Sequence, residues 1–223
     1  MEIFALVIDW AEVWIMLIPL VIWYKKPVQP VFMKPVLIYI VAAFILNLIC
    51  DGMSLFFNNG SRNTLSNTVF YNLHSLTRFI CFTVFFFRLQ HYSFRRIQWI
   101  LISLFTIIFL IYFLFVDRFF NEDHISSDLM TGEAFFSLFF CMLYYLSFLR
   151  EEVEDFRVRK DFWVVTGLSI FMVVNFFVFL FYQPLLIDNV NLAISIWNFH
   201  NLAYIIFILF ISKALYVLDT NKS

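Results

Sequence analysis

The residues able to do chemistry in this chain are ionisable and amide side chains set singly into long apolar stretches. They are Asp9 and Glu12, Asn47 and Asp51, His74 and Arg78, Glu133, Asn175, and Asn198, His200 and Asn201. A carboxylate, imidazole or guanidinium in an apolar medium is costly, so each is expected to face a partner, a ligand or a water-filled space. Side chains three, four and seven residues apart share a helical face. Asn67, Tyr71, His74 and Arg78 then form one stripe, and Asn47, Asp51 and Ser54 a second. Trp197, His200, Asn201 and Tyr204 form a third, with Asn198 alongside. Together the stripes predict one polar ligand pocket built from Asp9, Glu12, Asp51, Tyr71, His74, Arg78, Glu133, Asn175, Trp197, Asn198, His200 and Asn201.

Two chemistries are open to such a set. Binding of a small molecule or ion needs no cofactor and no catalytic residue, and that is the primary expectation. The alternative is zinc, for which His74, His200, Asp51 and Glu133 are the right ligand types, with Glu133 or Asp51 as the general base of a membrane hydrolase. No H-E-x-x-H pairs the histidines, and each lies alone on its stretch. Four carboxylates against one arginine predict that some are protonated or that a cation compensates them. Arg78 is expected to pair with Asp51 or Glu12. Cys50, Cys81 and Cys141 lack metal-type spacing and read as small buried residues.

The elements that position these residues follow from composition. Of 223 residues, 63% are hydrophobic and only 14% charged, against roughly 25% charged in soluble domains. Seven stretches are long enough to cross a hydrocarbon core about 30 Å thick: Ile3 to Tyr24, Pro35 to Phe57, Ser66 to Gln90, Ile97 to Val116, Leu129 to Leu149, Phe162 to Tyr182 and Leu192 to Val217. Such spans must be helical, because the backbone finds no water partners there. The first reads as a retained span, since Glu2 replaces a basic leader and Asp9 and Glu12 interrupt the apolar run. Little chain is left for a soluble catalytic domain, and a net charge of -1 implies no nucleic-acid partner.

Lys and Arg fall unevenly on the two sides. One set of loops and the C-terminal end hold Lys25, Lys26, Lys34, Arg88, Arg95, Arg96, Arg150, Arg157, Arg159, Lys160, Lys213 and Lys222, whereas the other set holds only Arg62 and Arg118. The richer set belongs in the cytoplasm, which places the N-terminus outside, the C-terminus inside and the polar residues in the outer half of the membrane. Short connections predict an all-α, up-and-down bundle of seven helices in one domain. The fourth stretch, which offers nothing more polar inside than Ser103, Thr106 and Tyr112, is expected at the periphery. Pro19 is expected to kink the first span.

Lys213 sits too near the cytoplasmic end for a retinal Schiff base. The segment WNFHNLAY carries one histidine where seven-helix hydrolases resembling alkaline ceramidases carry a pair, and the Pro-Gln or repeated Trp motifs of small seven-helix transporters are missing. The stretch FFCMLYYLSFL, the charged loop REEVEDFRVRKD, DFWVVTGLSIF with Asn175 following, and WNFHNLAYIIFILFISKAL resemble the seven-helix membrane regions of bacterial sensory proteins, found alone or ahead of histidine kinases. The resemblance implies a sensor in a bacterial inner membrane. No kinase domain follows here, so a signal would pass to a separate cytoplasmic partner at the loop from Arg150 to Asp161. The other readings are a transporter, which needs a polar path to the cytoplasm, and the metal-dependent hydrolase.

Overall fold

The computed structural model describes residues 10–57, 68–89, 95–115, 126–150 and 156–217. Among them the secondary structure is entirely helical. In chain order the α-helices are α1 (Ala11–Trp14), α2 (Leu17–Lys25), α3 (Lys34–Phe57), α4 (Thr68–Arg88), α5 (Arg95–Phe115), α6 (Ser127–Phe148), α7 (Lys160–Asp188) and α8 (Val190–Tyr216). Among the described residues five helical segments are long and apolar enough to cross a membrane: Val31–Met53, Val69–Arg88, Ser127–Phe148, Lys160–Asp188 and Val190–Tyr216.

The two remaining stretches behave differently. The first is a broken helix rather than a kinked one, α1 and α2 being separated at Ile15 and Met16. Pro19 is the cause: it has no N–H to give to the Ile15 carbonyl, which instead accepts from Ile18 at 3.2 Å in a tighter turn. The fourth stretch is α5, whose described apolar segment is Trp99–Ile108.

The sixth stretch runs six residues past its predicted end, through Pro184 to Asp188. The expected loop before α8 shrinks to Asn189, whose side chain caps α8 by accepting from the Leu192 N–H at 3.2 Å. The result is a long α7–α8 hairpin. Gly167 sets its closeness, since a Cβ there would stand 2.5 Å from Cβ of Phe210 and 3.3 Å from the Phe207 carbonyl oxygen.

Helices α2, α3, α4, α6, α7 and α8 form a closed ring in that order, with α8 returning to α2 and α1 wedged against α3 and α8. Among the described residues helix α5 packs only on α4 and α6, and it leaves Trp99, Ile100, Leu104, Ile107 and Ile111 exposed, as its apolar composition predicts. The ring's centre is aromatic. Tyr39, Phe82, Phe85, Phe171, Tyr204 and Phe207 are fully or almost fully buried, and Phe171 and Phe207 stack at 5.1 Å. Such pairs add specific geometry to a large apolar contact area.

Candidate functional site

Two buried polar clusters sit at one level of the bundle, both from residues singled out by type and spacing. In the first, Arg78 of α4 meets Glu133 of α6. Its Nε donates to Oε1 at 2.7 Å and its Nη2 to Oε2 at 2.8 Å, with both residues 2% exposed. Ser75, one helical turn before Arg78, donates a further short hydrogen bond to Oε2. The guanidinium also lies 5.1 Å from the centre of the Phe171 ring. A planar fork on a carboxylate fixes both side chains and leaves the site with no net charge.

The second cluster joins α1, α7 and α8. His200 Nε2 lies 3.1 Å from Glu12 Oε1, while Nδ1 makes a short contact with Asn175 Oδ1. The Asn175 amide nitrogen donates to the Phe171 carbonyl at 2.7 Å, so its oxygen is the atom turned to the imidazole, and Nδ1–H donates to it. Nε2 is the ring nitrogen that faces the Glu12 carboxyl group. Asn47 of α3 donates to the Glu12 backbone carbonyl at 3.2 Å, which ties α1 into the ring. Trp197 stacks on His200 at 4.8 Å, and Tyr71 meets Trp197 edge-on at 5.4 Å.

His74 lies between the clusters with Nε2 3.5 Å from the Tyr39 hydroxyl. Asn201 is buried on the same helix as His200, and Asp51 and Tyr71 are half-buried, Asp51 near the C-terminal end of α3 and Tyr71 near the N-terminal end of α4.

Several expectations are corrected here. Arg78 pairs with Glu133, not with Asp51 or Glu12, because α4 and α6 are direct neighbours at that height. Asn198 is exposed, on the opposite side of α8 from His200. The four residues proposed for zinc do not gather: Glu133 is gripped by Arg78 and Ser75, and His200 by Glu12 and Asn175. Among the described residues no three His, Cys, Asp or Glu side chains come together as a metal site. Asp9 lies outside the described residues. Of the four carboxylates set against one arginine, Glu133 is matched by Arg78 and Glu12 is hydrogen-bonded to His200.

A small, partly open cleft adjoins the first cluster. Asn72, Ser75, Leu76 and Phe79 of α4, Phe105 of α5, and Ser126, Leu129, Met130 and Glu133 at the start of α6 line it. Asn72 Oδ1 accepts from the Ser126 N–H at 3.1 Å, closing the helix entry over the cleft. Asn72, Ser75 and Tyr39 were not picked out by sequence reasoning. Ser75 had a signal, being three residues before Arg78 on one helical face, whereas Tyr39 sits in an apolar run that gives none.

A separate polar network occupies the other end of the bundle. Lys160 Nζ donates to Gln29 Oε1 at 2.8 Å, Lys26 Nζ to the Tyr216 carbonyl at 2.6 Å, and Tyr144 to Asp161 at 3.0 Å. Arg159 makes two hydrogen bonds to Asp161, at 3.2 and 2.6 Å. Of the predicted partner loop, Lys160 and Asp161 are therefore buried in internal contacts, while Arg150, Phe156, Arg157 and Val158 are exposed and 151–155 lie outside the described residues. Comparison with known protein families, curated proteins and solved structures finds no match to this chain.

Proposed function

We propose that this chain is a seven-span membrane sensor that binds a small molecule at the polar layer and passes the signal to a cytoplasmic partner. In this reading the N-terminus is outside, the C-terminus is inside, and the membrane is the bacterial inner membrane. The broken α1–α2 and the peripheral α5 supply the two spans beyond the five long apolar helices. The charge asymmetry of twelve Lys and Arg against two supports the orientation.

The observation that carries the reading is the aromatic layer separating the two polar ends. Phe82, Phe85, Phe171 and Phe207 fill the ring between the Arg78–Glu133 level and the network of Lys26, Gln29 and Lys160. A polar layer closed off from the other polar end by aromatic packing suits binding better than passage. Helices α6 to α8, which touch both polar layers, are the route of coupling, and the exposed Arg150 and Arg157 are the surface a partner would read.

The test uses the cleft-filling variant Leu129→Trp, whose indole stands in for a permanent ligand. Nitroxides at Arg88→Cys and Arg157→Cys report the cytoplasmic ends of α4 and of the loop before α7. A shifted distance distribution in the filled variant supports coupling. An unchanged distribution rules the sensor reading out.

A further inference from the structure

We infer that the cleft between α4, α5 and α6 is the binding site of a single ordered water molecule, which hydrates the buried Arg78–Glu133 pair. The inference concerns the cleft alone and stands apart from the sensor reading.

Size narrows the occupant first. The cleft encloses room for about one water molecule. The Phe79 and Phe105 ring centres are 4.0 Å apart, and Leu76, Leu129 and Met130 complete the apolar part of the lining. A ring or a lipid acyl chain is too large for that space.

Polarity then selects water among occupants of that size. An apolar gap stays dry, but here Asn72, Ser75, Ser126 and Glu133 are four of the nine lining residues. An ionised carboxylate has about four acceptor positions. Three on Glu133 are taken, by Nε and Nη2 of Arg78 and by the Ser75 hydroxyl. One position still accepts, and so does the Ser75 oxygen, whose proton goes to Glu133. Asn72 and Ser126 supply donors: Oδ1 of Asn72 accepts from the Ser126 N–H at 3.1 Å, which turns the amide so that its NH2 donates, and Ser126 carries a hydroxyl. A molecule that both donates and accepts fits this mixed lining.

Charge excludes the ions. A cation beside Glu133 would set two positive charges against one carboxylate, and an anion would set two negative charges against one guanidinium, both in a buried site. Water leaves the balance as it is.

The position along the helices gives the water a structural role. Asn72, Ser75 and Arg78 follow at three-residue steps on α4, so they share one face. The Asn72–Ser126 contact and the Arg78–Glu133 pair both join α4 to the α6 segment, and the cleft lies between them. The water links these two contacts into one network.

The test is a crystal structure of the full chain in lipidic cubic phase at a resolution that shows ordered waters. The expected result is one isolated peak within hydrogen-bond distance of a Glu133 carboxylate oxygen and of Ser75 Oγ. A cleft without density, or one filled by a lipid tail, overturns the inference.

Water-edited solid-state NMR in bilayers gives a second measurement. Magnetisation from water should reach the Glu133 carboxyl carbon at short mixing times in the unaltered chain. It should do so at least as strongly in Ser75→Ala, where a hydroxyl that could relay the proton is gone and Glu133 gains an acceptor position. Transfer lost in Ser75→Ala would trace the signal to that hydroxyl and overturn the water; no transfer in either chain overturns it too.

Discussion

Arg78 and Glu133 face each other across α4 and α6 with both side chains buried and two hydrogen bonds between them. Such a pair is held by mutual need. Removing one partner strands a charge, whereas replacing both with apolar groups of similar volume removes the desolvation cost along with the attraction.

Glu133→Leu and Arg78→Met are each expected to lose about 3 to 5 kcal/mol of stability, and the double variant to lose much less. Unfolding in mixed micelles measures all three. Additive losses in the double variant would show that the two side chains act independently.

The Glu12–His200 pair anchors α1, which the break at Ile15 and Met16 separates from α2. His200→Leu removes a partner from both Glu12 and Asn175 and is expected to cost about 1 to 3 kcal/mol. Glu12→Gln keeps a hydrogen bond to Nε2 and costs less. Hydrogen exchange across 11–16 should rise in the first variant and change little in the second; equal protection in both would mean that α1 is held by packing alone.

Gly167 lets α7 and α8 approach. A Cβ at 2.5 Å from Phe210 Cβ has no room without moving the helices apart, so Gly167→Ala is expected to cost about 1 to 3 kcal/mol and Gly167→Leu more. Thermal unfolding of the two variants ranks them. A neutral Gly167→Ala would contradict the close contact.

At the opposite end, Asp161 accepts from Tyr144 and from Arg159, and Arg159 also lies 5.1 Å from the Phe148 ring centre. Asp161→Asn weakens the charge-assisted part of this knot, by roughly 1 kcal/mol because Arg159 retains access to water. Proteolysis between α6 and α7 should speed up. An unchanged cleavage rate would place the order of this region elsewhere.

The helical spans were legible because apolar length is a coarse, additive signal. The boundaries of α3, α4 and α6 fall within a few residues of expectation. The two helical prolines act differently. Pro19 broke the first span a full turn upstream, where its missing N–H is felt, and Pro184 did not end α7 at all. The polar layer was legible by type, since a charged side chain set in an apolar run must turn toward a partner inside the bundle. Its pairing was not. Which of Asp51, Glu12 and Glu133 meets Arg78 depends on the axial stagger of three helices, and one sequence carries no information on stagger. Asn198 failed for a related reason: it adjoins a helical stripe without belonging to it.

The central claim is a polar layer reached from outside and sealed from the cytoplasm by aromatic packing. Sided thiol labelling tests it most directly, because Cys50, Cys81 and Cys141 are all buried and give little background. Leu129→Cys, on the half-buried wall of the cleft, and Gln29→Cys, in the opposite network, are introduced one at a time. Each is exposed to an impermeant maleimide in right-side-out and inverted vesicles. The account predicts that Leu129→Cys reacts only in right-side-out vesicles and Gln29→Cys only in inverted ones. Reaction of Leu129→Cys in inverted vesicles would contradict it.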